Sequence, residues 1–367
     1  IMMAVIFGCL FPGAVSGMAS ASAFEPIPPP ARLVLAKAGR LMEDERYPEA
    51  VETLTAFVAR GGSMPASGRP DPRGYHHPLI YFALGNAHLM QEALSRAENA
   101  YRRALARDPG MADAWANLAG VYYRRKEYAA AGKCFLQSYE TAAEKQPERL
   151  FYSAAAFLNA GRHKRSVGLL ERLLADHPAD SRPAWKETLV HALLAADQAQ
   201  RALPYIRQLV QICEGEQKIR WQEILLQQYL QLEMHPEALA LVRTLAREQP
   251  TEARWWKALA HVQLTDSRYE DALAALVIYS WLATPSADEQ RLLGDLYLQV
   301  GIPVKAAPIY AELLDRKPNP HLLQHLAMAY RRLGRPADAL KHLEPFAQGT
   351  DEPSVLMLQG DLFYEMG

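Results

Sequence analysis

The chain has 367 residues, and its 40 Lys and Arg against 41 Asp and Glu leave a formal net charge of −1. Half of the residues are hydrophobic and 22% are charged, which excludes a disordered tail, a collagen-like chain and a multi-span membrane protein. The balanced charge lacks the basic excess that attracts phosphate backbones, so we expect no nucleic-acid partner.

The N-terminal segment has the pattern of an export signal. An apolar stretch runs from Met2 to Val15, followed by small residues that end in Ala21-Ser22-Ala23. The stretch is short for a bilayer span, and Ala at both ends of an A-x-A site suits cleavage before Phe24. We therefore predict a signal peptide over residues 1–23 and an exported protein. A retained N-terminal membrane anchor is the alternative.

A proline-rich linker is predicted at residues 24–30, because Glu25 to Pro30 contains four prolines that prevent helix formation. Beyond it the chain holds two cysteines, Cys134 and Cys213, both within apolar helical patterns. They lie 79 residues apart and no C-x-x-C pair is present. We therefore expect both to be buried free thiols.

A repeat begins after the linker. A small residue following a polar turn recurs with seven spacings of 33 to 36 residues and a first spacing of 47 residues, at Ala50, Ala97, Ala131, Ser166, Ala202, Ala238, Ala272, Ala306 and Ala339. The longer spacing predicts one repeat plus a loop insertion at about 61–78. There Gly-Gly, Pro-Asp-Pro and His76-His77 indicate a solvated surface loop.

The residues at fixed offsets within the repeat match a known pattern. The unit from Pro78 to Met111 matches W-x-x-L-G-x-x-Y…A-x-x-x-F-x-x-A…P through Tyr81, Leu84, Gly85, His88, Ala97, Tyr101, Ala104 and Pro109. The next unit matches through Trp115, Leu118, Ala119, Tyr122, Ala131 and Phe135. This pattern resembles the tetratricopeptide repeat.

The resemblance implies an all-α fold. We expect a right-handed α-solenoid of about nine helix pairs plus one terminal helix, Val355 to Met366, over residues 31–367. Small residues such as Gly85 let paired helices approach closely, and the aromatic residues fill the core around that contact. Proline cannot continue a helix, so each second helix is predicted to end before a proline, at Pro109, Pro178, Pro250 and Pro318.

The resemblance also implies where a ligand binds, because the first helices of tetratricopeptide pairs line a concave groove. Positions 2, 5, 9 and 12 of each repeat are expected to face it. The predicted peptide-binding residues are apolar, aromatic or amide in the N-terminal half and charged in the C-terminal half: Phe82, Asn86, Asn117, Tyr123 and Phe151, then Arg220, Glu223, Arg254, Lys257, Arg291 and Asp295. Alternatively, the aromatic residues are core and the charges a solvated face.

Asn86 and Asn117 occupy groove positions where the family often uses Asn to bind a peptide backbone, because an amide both donates and accepts. The alternative is a structural hydrogen bond between neighbouring helices. The family's clamp for a C-terminal carboxylate needs basic residues beside these amides. Phe82, Glu148 and Tyr152 stand in those positions, which disfavours such a ligand.

The sequence contains no phosphate-binding glycine loop, no G-x-S-x-G elbow and no catalytic-cysteine signature. His321 and His325 lie four residues apart, yet no placed carboxylate completes a metal site. We therefore expect a non-enzymatic protein without cofactor or metal.

A narrower resemblance covers residues 219–320, carried by residues 254–260, 292–299 and 301–307. They are similar to exported bacterial tetratricopeptide proteins associated with TonB, ExbB and ExbD energy transduction. The resemblance implies a periplasmic scaffold whose partners are proteins or peptides, TonB, ExbB or ExbD components among them. Two alternatives stay open: an assembly or secretion accessory acting through its convex surface, and an enzyme with an unrecognised site.

Overall fold

The computed structural model describes residues 26–62, 71–317, 319–347 and 352–366. Within these ranges the chain forms 19 α-helices and no strand. The predicted signal peptide, residues 24–25 of the linker, residues 63–70 of the insertion and Pro318 lie outside the described residues. The linker prediction is wrong at Pro29 and Pro30, which form the start of the first helix, because proline is tolerated where the backbone N–H has no partner within the helix. None of the helices in the described ranges combines the length and apolar composition needed to cross a membrane.

The helices fall into two compact units, residues 1–221 and 222–367, which are described separately. Unit 1 contains α1 (Pro29–Glu43), α2 (Tyr47–Arg60), α3 (Pro78–Met90), α4 (Leu94–Arg107), α5 (Ala112–Arg124), α6 (Tyr128–Thr141), α7 (Pro147–Asn159), α8 (His163–Asp176), α9 (Pro183–Ala195) and α10 (Ala199–Ile212). The boundary falls inside α11 (Gly215–Gln231). Unit 2 continues with α12 (His235–Glu248), α13 (Ala253–Thr265), α14 (Tyr269–Leu282), α15 (Ala287–Gln299), α16 (Pro303–Arg316), α17 (Pro320–Arg332), α18 (Pro336–Ala347) and α19 (Pro353–Met366).

The predicted fold class, an all-α solenoid, is confirmed. Short turns join each odd-numbered helix to the next even-numbered one, so α1 to α18 form hairpins and α19 follows as a single helix. Successive helices pack against one another from α1 to α10 and from α12 to α19. The odd-numbered helices are called first helices and the even-numbered ones second helices below.

Every hairpin turn has the same backbone conformation. One residue adopts a left-handed φ of +56° to +83°: Glu45, Glu92, Lys126, Gly161, Asp197, Glu233, Ser267, Gly301 and Gly334. The N–H of the following residue bonds the carbonyl oxygen five residues earlier, as from Glu127 to Tyr122 and from Ile302 to Tyr297. This pairing satisfies a carbonyl that the helix end leaves without a partner. The turn is therefore fixed locally in each repeat.

The core of each unit forms where the predicted small residues meet aromatic rings of the second helices. All nine small residues that mark the repeat are buried. At Gly85 a Cβ atom would come within 2.5 Å of the Tyr101 ring, and at Gly294 within 2.9 Å of the Tyr310 ring. Both tyrosines are fully buried. Glycine is required there because a tyrosine ring lies directly over the helix backbone.

Helix ends agree with the predicted proline positions within the described ranges. Pro109, Pro178 and Pro250 each lie two residues beyond the end of a second helix, namely α4, α8 and α12.

Trp115 departs from the expected core role, because it is only partly buried. Its indole N–H donates to the Pro109 carbonyl oxygen at 2.9 Å, as that of Trp256 does to the Pro250 oxygen at 2.8 Å.

The prediction of a solvated His76-His77 pair is wrong. Both side chains are buried, with exposures of 5% and 7%. His76 Nδ1 lies 2.6 Å from the Tyr81 hydroxyl, and the backbone N–H groups of Gly74 and His76 donate to the Asp71 carboxylate. Neighbouring Tyr75 packs on Phe57 at a ring separation of 4.9 Å. These contacts fold the end of the insertion onto α2 and α3.

The two described cysteines are free and buried, as predicted. Burial raises the pKa of the Cys134 thiol to about 12 and raises the pKa of the Cys213 thiol. Because the thiolate is the reactive form, neither sulfur is an active nucleophile at neutral pH.

Candidate functional site

The first helices of each unit lie side by side, and polar side chains connect them. In unit 1 such bonds join α3 to α5, α5 to α7, and α7 to Arg182, the residue directly before α9. In unit 2 they join α11 to α13, α13 to α15, α15 to α17 and α17 to α19. The side of each unit formed by these helices is called its first-helix face. All predicted groove residues lie on first helices.

Asn86 of α3 and Asn117 of α5 bond to each other on the first-helix face of unit 1. Asn86 Oδ1 accepts from Asn117 Nδ2 at 2.8 Å and from the buried Tyr101 hydroxyl at 2.7 Å. The interhelical bond that the structural alternative predicted is therefore present. No bond to another described residue uses Asn86 Nδ2 or Asn117 Oδ1, and both side chains are partly exposed. The amide pair thus keeps one donor and one acceptor available.

The predicted aromatic residues of unit 1 have mixed roles. Phe82 and Phe151 are partly exposed and pack against the core that contains Tyr101 and Phe135. Tyr123 is buried to 9% exposure, and its hydroxyl accepts from Asn159 Nδ2 of α7 at 3.0 Å. Phe82 and Phe151 can therefore contact a ligand, whereas Tyr123 mainly connects α5 to α7.

Ion pairs bridge the first helices of unit 1 beside these residues. Arg149 donates to Asp113 at 2.6 Å, and Arg182 donates to Glu148 at 2.6 Å. Glu148 stands in one of the positions where a carboxylate clamp would need a basic residue, and its charge is balanced by Arg182. Arg220, the last predicted residue of this unit, is exposed on α11.

The predicted charged residues of unit 2 pair with neighbouring helices. Arg254 of α13 donates to Glu223 of α11 at 3.1 Å, and Lys257 of α13 pairs with Glu289 of α15. Asp295 of α15 lies 2.8 Å from His325 Nδ1 of α17. Arg291 approaches only Asp288, one turn earlier on its own helix, at 3.7 Å. Four of the five predicted charged residues of unit 2, all but Arg291, therefore contact a polar side chain on a neighbouring first helix.

Glu289, which was not predicted from the sequence, has more hydrogen-bond and ion-pair partners than any of the predicted carboxylates of unit 2. It accepts from the Tyr279 hydroxyl at 2.9 Å and from the Ser286 backbone N–H at 2.7 Å, in addition to Lys257. Burial acts to raise its pKa, but the hydrogen bonds from Lys257, Ser286 and Tyr279 outweigh burial and lower the pKa to about 2. Nearby, burial and the Lys257 charge lower the pKa of His261.

Asp295 occupies the position in unit 2 that corresponds to Asn86 in unit 1. Each follows the glycine that lies beneath a buried tyrosine, and each accepts a 2.7 Å hydrogen bond from that tyrosine's hydroxyl. The second donor is an amide, Asn117, in unit 1 and an imidazole, His325, in unit 2. The same backbone position is therefore neutral in one unit and ionisable in the other.

An open cleft lies between α17 and α19 of unit 2. Its lining includes positions 5, 9 and 12 of α17, Gln324, Met328 and Arg331, and positions 2, 5 and 9 of α19, Ser354, Met357 and Asp361. Met328 and Met357 are 49% and 70% exposed. Neither methionine was predicted as a groove residue, although Met328 at position 9 of α17 and Met357 at position 5 of α19 occupy groove positions of the repeat. In the described ranges no group of three metal-binding side chains converges.

The fold defines a helical-hairpin repeat protein whose first helices form a partly apolar face in each unit. Residues 82–147 and 227–279 match the family model for the tetratricopeptide repeat. Together with the paired-helix fold, these matches support a tetratricopeptide repeat protein. No curated protein is significantly similar to the chain.

Several solved structures are similar to the chain at low identity. A tetratricopeptide repeat protein from Parabacteroides merdae is 14% identical with a TM-score of 0.36, over 69% of this chain and 98% of that one. A Naa15/Naa10 complex bound to HypK is 14% identical with a TM-score of 0.46, over 92% of this chain and 61% of that one. The repeats of a putative kinesin light chain from Podosopora anserina are 22% identical with a TM-score of 0.37, over 50% of this chain and 95% of that one.

Proposed function

We propose that this protein is a non-catalytic interaction scaffold and that the first-helix face of unit 1 binds an extended peptide segment of a partner protein. The observation that carries this proposal is the amide pair of Asn86 and Asn117. A peptide group presents one N–H donor and one carbonyl acceptor. The free Asn86 Nδ2 and Asn117 Oδ1 complement these two groups.

The test must separate ligand binding from the structural role of the same amides. Replacing both Asn residues by Ala would leave the buried Tyr101 hydroxyl without an acceptor. We therefore combine Asn86→Ala and Asn117→Ala with Tyr101→Phe, and use Tyr101→Phe alone as the matched control. The probe is a peptide selected on the wild-type protein from a phage-displayed library of random dodecapeptides, with affinity measured by calorimetry.

The triple variant is expected to bind the selected peptide about tenfold or more weakly than the Tyr101→Phe control, because two hydrogen bonds to the peptide backbone are lost. Circular dichroism should give the same helical signal for both. Equal affinity of the two variants would rule out backbone recognition by this amide pair.

The cellular setting we propose is the periplasm, where the scaffold serves a TonB-type energy-transduction system. Support comes from the apolar N-terminal segment with its A-x-A site and from the similarity of residues 219–320 to exported TonB-associated proteins. Fusing residues 1–30 to alkaline phosphatase, which is active only after export, should give an active reporter. Release by osmotic shock would indicate cleavage, and membrane retention would indicate an anchor.

The partner proposal has its own test. Affinity purification from the native envelope should recover a TonB, ExbB or ExbD component with the wild-type protein and less of it with the triple variant. If no TonB, ExbB or ExbD component is recovered with the wild-type protein, these proteins are excluded as partners. The peptide-binding proposal for unit 1 would not be affected, because it depends on the amide pair.

One observation favours a second candidate, an assembly accessory that acts through its second helices. On α14, Trp281 is 78% exposed and the adjacent Leu282 is 40% exposed. Solvent-exposed tryptophan is a frequent energetic centre of protein interfaces. If Trp281→Ser abolishes recovery of a partner that the triple variant still recovers, the second candidate is correct for that partner.

A further inference from the structure

Gly360 on α19 occupies a position that is buried in two other first helices. It is the eighth residue of its helix, as Gly85 is of α3 and Gly294 is of α15. A Cβ atom at Gly85 or Gly294 would collide with a tyrosine ring of the following second helix, whereas at Gly360 it would meet no heavy atom within 4 Å. Gly85 and Gly294 are buried, and Gly360 is exposed. Within the described part of the chain, no ring covers Gly360 as rings cover the other two glycines.

The residue after Gly360 shows the same difference. In α15, Asp295 follows the glycine and accepts a hydrogen bond from the Tyr310 hydroxyl at 2.7 Å. In α19, Asp361 follows Gly360, is exposed, and forms no hydrogen bond with another described residue. Both helices contain the same tripeptide, Gly-Asp-Leu. The carboxylate acceptor is therefore present on α19 without the tyrosine donor that it has in α15.

Large hydrophobic side chains lie on the same side of α19 as Gly360. Leu356, at position 4, and Phe363, at position 11, are one turn away from the glycine and are 45% and 53% exposed. The same two positions of α3 hold Tyr81 and His88, which are 1% and 7% exposed. Five of the fourteen large hydrophobic side chains that are exposed in the described ranges lie on α19. The opposite side of α19 packs into the core of unit 2, so the exposed apolar side forms a continuous patch without a partner in this structure.

The two covered glycines show which group fills such a position. In both cases an α-helix carries the tyrosine, and a buried alanine precedes it by four residues: Ala97 before Tyr101 on α4, and Ala306 before Tyr310 on α16. Residues four apart share one side of a helix. The small residue lets the two helices approach, and the ring then reaches the glycine backbone. The complementary group for Gly360 and Asp361 is therefore a helix with this spacing.

We infer that the exposed side of α19 binds an amphipathic α-helix of a partner protein, which presents a small residue and, four residues later, a tyrosine. The tyrosine ring lies over Gly360 and its hydroxyl donates to Asp361, while other apolar residues of the bound helix cover Leu356 and Phe363. We call these four residues of α19 the α19 docking surface. The inference does not depend on the proposed function, because the amide pair of unit 1 takes no part in it.

The probe is a peptide with the sequence of α16, residues 303–316, because this helix covers Gly294 within the chain. A free helix of this length is marginally stable in water, so a side-chain lactam between positions 312 and 316, with Arg316→Lys, keeps the peptide helical. Glu312 and Arg316 pair on the exposed side of α16, away from the tyrosine. Fluorescence anisotropy of the labelled peptide measures its affinity for the full chain.

Two protein variants test the α19 docking surface, and a third is the control. Gly360→Leu fills the position of the ring, and it should fold at least as well as the wild type because Leu is a better helix former than Gly. Phe363→Ser changes only an exposed side chain. Gly168→Leu is the matched control, since Gly168 is an exposed helical glycine on α8 with nothing within 4 Å of its Cβ. Circular dichroism should give the same helical signal for all three.

Gly360→Leu in the protein and Tyr310→Ala in the peptide should each lower the affinity about tenfold or more, because the ring no longer covers the glycine. Phe363→Ser should also weaken binding, and Gly168→Leu should bind like the wild type. Tyr310→Phe in the peptide should lower affinity for the wild type about fivefold. It should have no effect on binding to Asp361→Ala, in which the hydroxyl has no acceptor.

Two binding results would overturn the inference: no binding of the peptide by the wild-type protein at about 1 mM, or equal affinity of the wild type and Gly360→Leu. Sedimentation velocity tests a different occupant, a second copy of the chain. Self-association of the wild-type protein that Gly360→Leu abolishes would assign the α19 docking surface to a dimer contact and would overturn the inference of a partner helix. A wild-type protein that stays monomeric while it binds the peptide supports the inference.

Discussion

Gly85 and Gly294 show how a single residue sets the packing of a helix pair. A tyrosine ring from the second helix lies against the backbone of each, and its hydroxyl bonds the polar residue that follows the glycine. Burial raises the pKa of both Tyr101 and Tyr310, so each hydroxyl keeps its proton and donates at neutral pH. The glycine thus positions the Asn86 and Asp295 side chains through the tyrosine.

We predict that Gly85→Ala and Gly294→Ala each lower the free energy of unfolding by about 1–2 kcal/mol. The added methyl group collides with a buried ring, and this cost exceeds the gain in helix propensity. Urea denaturation measures the effect. Gly120→Ala and Gly360→Ala are the controls, because both have open space at Cβ and should be neutral or stabilising by up to about 1 kcal/mol.

Glu289 gives a pH-dependent contribution to stability. Its pKa is about 2 in the folded protein against an ordinary value of about 4.3, so folding favours its charged form. The contribution is complete above pH about 5 and is lost as the pH falls towards 2. Glu289→Gln should therefore cost about 1–2 kcal/mol at pH 7, a value reduced for solvent screening, and less at pH 3.

The comparison residue for this prediction is Glu312, which is 60% exposed and pairs with Arg316 one turn later. Glu312→Gln should change the unfolding free energy by less than about 0.5 kcal/mol at either pH. A cost for Glu289→Gln that stays the same from pH 7 to pH 3 would contradict the proposed role of the charged carboxylate.

The hairpin turn is the element that recurs most strictly in this chain. Six of the nine left-handed turn residues carry a side chain, although only glycine adopts this conformation without steric cost: Glu45, Glu92, Lys126, Asp197, Glu233 and Ser267. The backbone hydrogen bond across the turn and the packing of the two helices hold these residues in place. The turn geometry is therefore imposed on residues that do not prefer it.

Lys126→Gly should stabilise unit 1 by about 0.5–1 kcal/mol, because relief of the left-handed strain outweighs the greater flexibility of glycine in the unfolded chain. Lys126 is exposed on the α5–α6 turn and no ion pair involves it among the described residues. The reverse substitution, Gly301→Ala on the α15–α16 turn, should destabilise by about 1 kcal/mol. Thermal unfolding of both variants gives the comparison, and a loss of stability in Lys126→Gly would contradict the assigned strain.

At the scale of the whole molecule, the chain is a series of repeats grouped into two compact units. Each repeat buries its apolar face mainly against its immediate neighbours, so a local defect should act over a limited distance. Hydrogen exchange can measure this distance helix by helix.

Gly294→Ala should increase amide exchange most in α15 to α18 and leave α3 to α6 of unit 1 unchanged. Gly85→Ala should increase amide exchange most in α3 to α6 and leave α15 to α18 of unit 2 unchanged. Each variant is the control for the other, because the substitution and the clash with a tyrosine ring are the same. An increase spread evenly over all helices in either variant would show that the chain unfolds as one cooperative block.

The repeat period, the helix boundaries and the small residues of the core could be predicted from the sequence. Helix faces, proline stops and hairpin turns depend on residues within a few positions of each other, so a linear pattern contains them. The burial of His76 and His77 could not be predicted, because it depends on the contact of His76 with Tyr81 and on Tyr75 packing against Phe57. The insertion interrupts the repeat, and no periodic pattern indicates which residues it covers.

The sequence by itself determined that Asn86 and Asn117 lie on the first helices of two successive repeats, because the repeat pattern fixes which helix each residue belongs to. Only the tertiary structure decided that these amides bond to each other and that Lys257 pairs with Glu289 on the next first helix. The partners in such pairs lie about one repeat apart in the chain. Their identity depends on how two hairpins stack, because side chains distant in sequence meet only when the first helices are aligned.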